Sequence, residues 1–174
     1  NYQVMPFIKG APNTGKSTLI NIVISMLCFE NIGVISANQE KNFGLGSVYD
    51  KEMAICSDVP EDLVKILDPT LIQDMVSGGC VSVTKKYKDA KACKWTTPMM
   101  LAGNKFLVCQ DEHGAISRRF VYIPFDRPIK DRDTTLEQRI ISQELPSILL
   151  KCVQTYHDIV KKHSNKDFWA FCPE

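Results

Sequence analysis

The sequence has no apolar run long enough to cross a membrane as a helix, and no charged-then-apolar stretch ending in a cleavage site. Nothing in it points to a membrane partner. It has no C-x-x-C pair, and its 7 cysteines are odd in number and scattered. That argues against a disulfide framework and a zinc site, and for a reducing compartment. Cys28, Cys56 and Cys109 sit in apolar runs and read as small core residues. Net charge is almost nil, with 21 Lys plus Arg against 20 Asp plus Glu. Any nucleic-acid site must therefore be a local cluster, not a global field. Internal repeats and low-complexity stretches are lacking, which excludes solenoids and linkers. His113 and His157 have no partner at metal-ligand spacing. What is present is 174 residues, 44% of them hydrophobic, enough for one domain with its own core.

The most informative stretch is Gly10-Ala11-Pro12-Asn13-Thr14-Gly15-Lys16-Ser17, a complete G-x-x-x-x-G-K-[ST] pattern. An apolar segment reading as a strand, Val4–Ile8, precedes it. A segment long enough for a helix, Lys16–Phe29, follows. Strand, glycine loop and helix form the setting a phosphate-binding loop needs. Gly10 and Gly15 let successive N–H groups turn inward toward phosphate oxygens, and the helix N-terminus adds partial positive charge. Residues 10–18, including Thr18, are the expected nucleotide cradle. Lys16 would reach the β- and γ-phosphates, and the Ser17 hydroxyl would ligate Mg²⁺.

The rest of the chain alternates. Ile32–Ser36 reads as a second strand and Asn38–Leu45 as a loop. Lys51–Asp58 reads as a third strand, and Pro60–Met75 as a helix broken near Asp68-Pro69. Val81–Lys86 and Lys94–Thr97 read as hairpin arms whose tip carries Lys88-Asp89-Ala90-Lys91. Met99–Ala102 and Phe120–Ile123 are further strands. Leu136–His163 reads as a helix kinked at Pro146, whose apolar start should pack on the sheet. Trp169 and Phe171 read as packing residues. Strands separated by helices predict an α/β fold with a mostly parallel central sheet. The first strand begins so near the chain start that an excised domain of a longer protein is expected.

Four further groups carry chemistry. Asp58 ends an apolar strand about 40 residues after the phosphate loop, where a Walker-B acid would hold Mg²⁺ through water; alone, such an Asp is more often a turn or cap residue. Asn104 ends Pro98–Gly103, where an amide can donate to and accept from an attacking water; the alternative is a turn residue beside Gly103. Arg118 and Arg119 precede Phe120–Phe125, and one of them can reach a neighbouring subunit as an arginine finger; an isolated pair is otherwise a surface ion pair. Residues 85–94 hold five lysines, with Tyr87 inside the run and Trp95 just after it. Lysines neutralise phosphates and aromatics stack on bases, so Lys85, Lys86, Tyr87 and Lys88 are candidate DNA contacts; a solvated face is the plainer reading.

The order of these groups resembles the superfamily 3 helicases, a viral and plasmid branch of the AAA+ ATPases. Gly10–Ser17 resembles motif A and Asp58 motif B. Gly78-Gly79 through Lys86-Tyr87 resembles motif B′, Pro98–Asn104 motif C, and Arg119-Phe120 the finger strand. The flavour is that of the poxvirus-type helicase-primase family of large cytoplasmic DNA viruses. The resemblance spans about residues 3 to 126.

It implies a P-loop NTPase three-layer sandwich, the whole of residues 1–174 forming one ATPase domain of a longer helicase-primase. It implies ATP and Mg²⁺ as cofactors and a hexameric ring with ATP between subunits. Lys16, Ser17, Asp58 and Asn104 would come from one side, and Arg119, or secondarily Arg118, from the other. Further implications are single-stranded or forked DNA gripped near Lys86–Lys88, 3′ to 5′ movement, a linked primase domain, and replication sites in the host cytoplasm. One departure stands out. Relatives often carry two adjacent acids in motif B, whereas Asp58 lies between Ser57 and Val59. Glu61 is the favoured base for the attacking water, with Glu40 the other candidate. Two other classes share the phosphate loop. A protein remodeller or loader would not need the Lys86–Tyr87 hairpin, and a small-molecule kinase would not need a partner subunit.

Overall fold

The computed structural model describes residues 3–36, 44–59, 68–84, 89–105, 114–164 and 166. Seven strands and five helices are described: β1 Met5–Lys9, α1 Lys16–Ser25, β2 Ile32–Val34, α2 Gly44–Val48, β3 Met53–Cys56, α3 Pro69–Ser77, β4 Cys80–Val83, β5 Lys91–Lys94, β6 Met99–Gly103, β7 Phe120–Pro124, α4 Leu136–Gln143 and α5 Leu145–His163. The main sheet has the order β2-β3-β6-β1-β7, and every pairing in it is parallel.

Alternation along the strands builds the core on both faces. Met5 and Phe7 of β1, Ala54 and Cys56 of β3, and Met99 and Leu101 of β6 pack on one side. Ile8, Ile55 and Ala102 pack on the other. Successive side chains of a strand point to opposite faces, so a central strand must be apolar at nearly every position. The first face is covered by α3, which contributes Ile72, Met75 and Val76, and by the β4–β5 hairpin with Val81, Val83 and Cys93. The second is covered by α1 through Ile20. Helix α4 joins α1 by a 3.0 Å bond from the Asn21 amide to Glu137.

Several boundaries differ from expectation, each for a local reason. The Lys16–Phe29 helix ends at Ser25. The Ser25 hydroxyl donates back to the Asn21 carbonyl, and the Met26 and Leu27 N–H groups turn to carbonyls three residues back, tightening the last turn. Cys28 is exposed in the connection that follows, not in the core; Cys56 is buried. The second hairpin arm is Lys91–Lys94, not Lys94–Thr97. β4 begins at Cys80, opposite Lys94, and the ladder ends with a 2.9 Å bond from the Trp95 N–H to the Gly79 carbonyl. Trp95 turns inward and its indole N–H donates to the Thr97 carbonyl at 2.7 Å. The Leu136–His163 helix is two helices, because Pro146 lacks the N–H that would continue α4 and sits in the first turn of α5. Nor does α5 pack its apolar start on the sheet: Leu149 and Leu150 are exposed.

Candidate nucleotide site

The phosphate loop leaves the C-terminal end of β1, and three adjacent strands deliver the candidate groups. β1, β6 and β3 lie side by side, and each ends at the same edge of the sheet. Cys56 is level with Leu101, and Lys9 with Gly103. The chain past β3 is pinned by Val59 N–H to the Ala102 carbonyl at 2.8 Å, and the loop past β1 by Gly10 N–H to the Gly103 carbonyl at 3.2 Å. Ligands of parallel α/β sheets bind beyond such strand ends, where successive connections part.

Two glycines make the loop possible. A Cβ on Gly10 would lie 2.2 Å from the Phe125 carbonyl oxygen, so any larger residue displaces β7 or the loop. Gly15 caps α1 with φ of 93°, a left-handed conformation that suits glycine. Asn13 also has positive φ, at 59°, which its short amide tolerates. The buried Thr14 hydroxyl donates to Ala11 carbonyl at 2.9 Å and closes the turn.

Lys16 is central to the site. Its ammonium donates to the Gly10 carbonyl at 2.7 Å, the Ala11 carbonyl at 2.8 Å and the Asn104 Oδ1 at 3.1 Å. The last bond ties the end of β6 to the phosphate loop and leaves the Asn104 NH₂ to donate elsewhere. A cavity of about 380 Å³ runs along residues 12–18 and takes in Ser57, Asp58, Asn104 and Arg132. The predicted cradle, the predicted acid and the predicted amide thus share one cavity. A larger cavity of about 460 Å³ lies at the other end of the sheet, around Met5 and Met99. Among its described lining residues Lys94 alone is charged, whereas the smaller cavity gathers the predicted polar and charged groups.

The donor set suits Mg²⁺. This ion keeps several waters and takes one or two carboxylates plus substrate phosphates, and one hydroxyl (Ser17) with one carboxylate (Asp58) beside a phosphate loop meets that need. Among the described residues no cluster of three His, Cys, Asp or Glu offers an all-protein cage. The Cys56 thiol, buried two residues before Asp58, is pushed up to about 11, first by burial and further by the Asp58 charge, against a lowering backbone hydrogen bond.

Of the other predicted residues, the described arginines Arg118 and Arg119 do not line the cavity. Arg119 precedes β7 at the opposite end of the sheet, since Phe120 pairs with Met5. It is 6% exposed, and its guanidinium donates to the Ala115 carbonyl. Arg118 beside it is exposed. Glu61, Glu40, Lys85, Lys86, Tyr87, Lys88, Cys109, His113, Trp169 and Phe171 lie outside the described residues. The described arms of the hairpin carry exposed Lys91 and Lys94.

One site residue had no signal in the sequence. Arg132 lines the cavity from a charged stretch after β7. Only the pairing of β7 with β1 brings that stretch to the phosphate loop. Phe125 N–H donates to Lys9 carbonyl at 2.7 Å, and Ile129 N–H to Asn13 carbonyl at 2.8 Å. Asp133 holds the far side, accepting from Thr135 N–H at 2.9 Å, Thr135 hydroxyl at 2.6 Å and Arg139 at 3.0 Å. These bonds, the Thr135 hydroxyl first, keep its carboxyl below the ordinary range.

Residues 8–119 match the model of a family described as "Family of unknown function (DUF5906)". No curated protein matches the sequence significantly. Among solved structures, JCV Helicase is similar over 86% of this chain and 44% of that chain, at 20% identity and a TM-score of 0.57. The NrS-1 C terminal region is similar over 83% of this chain and 35% of that chain, at 18% identity and a TM-score of 0.60. The chain therefore spans less than half the length of these structures. The likeness is one of fold, an α/β P-loop NTPase fold with a parallel sheet flanked by helices.

Proposed function

The chain belongs to the DUF5906 family of unknown function, and from its site we propose that it is the ATPase motor domain of a DNA helicase. The observation that carries the reading is the convergence of residues 12–18, Asp58 and Asn104 on one cavity. The similarity to JCV Helicase supports the same reading at the level of fold.

In this mechanism the loop N–H groups and Lys16 hold the β- and γ-phosphates of ATP. Lys16 exchanges its carbonyl partners for phosphate oxygens, which charge assistance favours. Ser17 and Asp58 would hold Mg²⁺, whose positive charge would offset the negative charge of the phosphates. Asn104 positions a water. The water oxygen bonds to the γ-phosphorus, the bond to the β–γ bridging oxygen breaks, and a water proton passes to a carboxylate, for which the sequence offers Glu61 as the candidate. ADP and inorganic phosphate result.

Subunits arranged in a hexamer would place an arginine of one against the ATP of the next. Such a finger needs a surface guanidinium. Arg118 is exposed, whereas Arg119 is buried and donates to the Ala115 carbonyl. The hairpin lysines and Tyr87 would grip single-stranded DNA, with movement 3′ to 5′, in a helicase-primase working at viral replication sites in host cytoplasm.

The test is ATP hydrolysis against protein concentration, with and without single-stranded DNA, for the parent chain, Arg118→Ala and Arg119→Ala. Turnover should rise with concentration and with DNA. It should fall by about a hundredfold or more in the variant lacking the finger. Turnover flat with concentration and indifferent to DNA and to both substitutions sinks the helicase reading.

A further inference from the structure

A second cavity, of about 360 Å³, adjoins the phosphate cavity, and Asn13, Gly15, Thr18 and Arg132 line both. Beyond these shared residues its wall carries the apolar Ile129 and Leu136, the polar Thr134 and the carboxylates of Asp131, Asp133 and Glu137. A nucleotide filling both cavities would keep its phosphates at the glycine loop and Arg132 and put its uncharged sugar and base against the apolar and acidic wall, whose carboxylates accept hydrogen bonds from hydroxyl and amino groups.

Arg132 stands at this junction with its charge uncommitted. Among the described residues no hydrogen bond or ion pair engages it, and the neighbouring Asp133 is taken by Thr135 and Arg139. Its place is held on both sides. Ile129 is tied to Asn13 upstream, and Asp133 fixes the entry to α4 downstream. A guanidinium presents paired donors in a planar fork that matches phosphate oxygens.

We infer that Arg132 is a nucleotide-binding residue acting within its own subunit, contacting the α- or β-phosphate where the nucleotide passes from the first cavity to the second. This rests on the nucleotide-site reading above. It differs from an arginine finger, which acts across a subunit boundary on the γ-phosphate. Binding through Arg132 therefore operates in a single chain and does not distinguish ATP from ADP.

The experiment is calorimetric titration of the chain with MgATP and with MgADP, for the parent, Arg132→Ala, Arg132→Lys and Arg127→Ala. Arg127 is an exposed arginine of the same segment that lines neither cavity and serves as the charge control. Arg132→Ala should weaken both nucleotides by about tenfold, the expected size for a lost charge-assisted hydrogen bond. Arg132→Lys should recover part of the loss, and Arg127→Ala should bind like the parent. Melting temperatures without nucleotide should agree across all four, which separates a lost ligand contact from a damaged fold. Unchanged binding in Arg132→Ala overturns the inference, as does a loss confined to MgATP, which would put the guanidinium on the γ-phosphate. If the parent binds neither nucleotide, the nucleotide-site reading itself falls and this inference with it.

Discussion

Lys16 illustrates how a single side chain organises the site before any ligand arrives. Its three donors are spread over two loop carbonyls and the Asn104 amide. The bonds shape the loop and hold the end of β6 against it. Cysteine chemistry offers an independent check at the same scale. Cys56 is buried, and its thiol is raised to about 11 mainly by that burial. Cys28, Cys80 and Cys152 are exposed. The thiolate is the reacting species, so raising the value slows alkylation. Brief iodoacetamide treatment near pH 8, followed by peptide mass mapping, should label Cys28, Cys80 and Cys152 and spare Cys56. Labelling of Cys56 at the same rate as Cys28 would contradict the buried β3.

Elements matter here mainly where they end. The sheet edge formed by the ends of β1, β6 and β3 makes the cavity, and the packing of Phe125 on Gly10 closes its side. Gly10→Ala forces a Cβ to within 2.2 Å of a backbone oxygen, an overlap no rotamer relieves. Overpacking of this kind costs about 1–3 kcal/mol. The larger effect should be on binding, because the loop and the Arg132 segment would move apart. Urea unfolding should show the stability loss, and titration with MgADP should show affinity falling by about tenfold or more. Parent-like values in both would mean the loop and β7 are not in contact. α5 shows the reverse pattern. Its Leu149, Leu150, Val153 and Tyr156 are all exposed, so this helix contributes apolar surface without burying it.

At the scale of the whole molecule, the proposed arginine finger would require more than one copy. Lys16, Asp58, Asn104 and Arg132 meet within one chain, but the Arg118–Arg119 pair lies at the other end of β7, just before Phe120, the partner of Met5. No bending of a five-residue strand brings those ends together. If the finger acts, it acts between copies, and assembly then follows mass action. Sedimentation velocity should show the single-chain species at low concentration and larger species with MgATP at high concentration. A single-chain species throughout, alongside full ATP turnover, would assign the activity to the monomer.

The phosphate loop, the alternation of strands with helices and the residue types at three strand ends were legible in the chain itself. They depend on local chemistry: glycine where the backbone must turn left-handed, apolar residues at consecutive positions of buried strands, a polar residue where a strand meets solvent. Boundaries were less legible. The end of α1 at Ser25 depends on a side-chain bond to Asn21, and the β5 arm depends on where its partner β4 begins. The core place expected for Cys28 failed because the helix stopped short of it. Arg132 had no signal at all, because its link to Lys16 runs through the pairing of β7 with β1, far apart in sequence. Sequence alone determined which chemistry the chain can offer, since reactivity resides in side chains and local backbone freedom. Only the tertiary structure decided which of those groups meet, because strand order in a parallel sheet is set by the burial of both faces at once, and no local pattern encodes it.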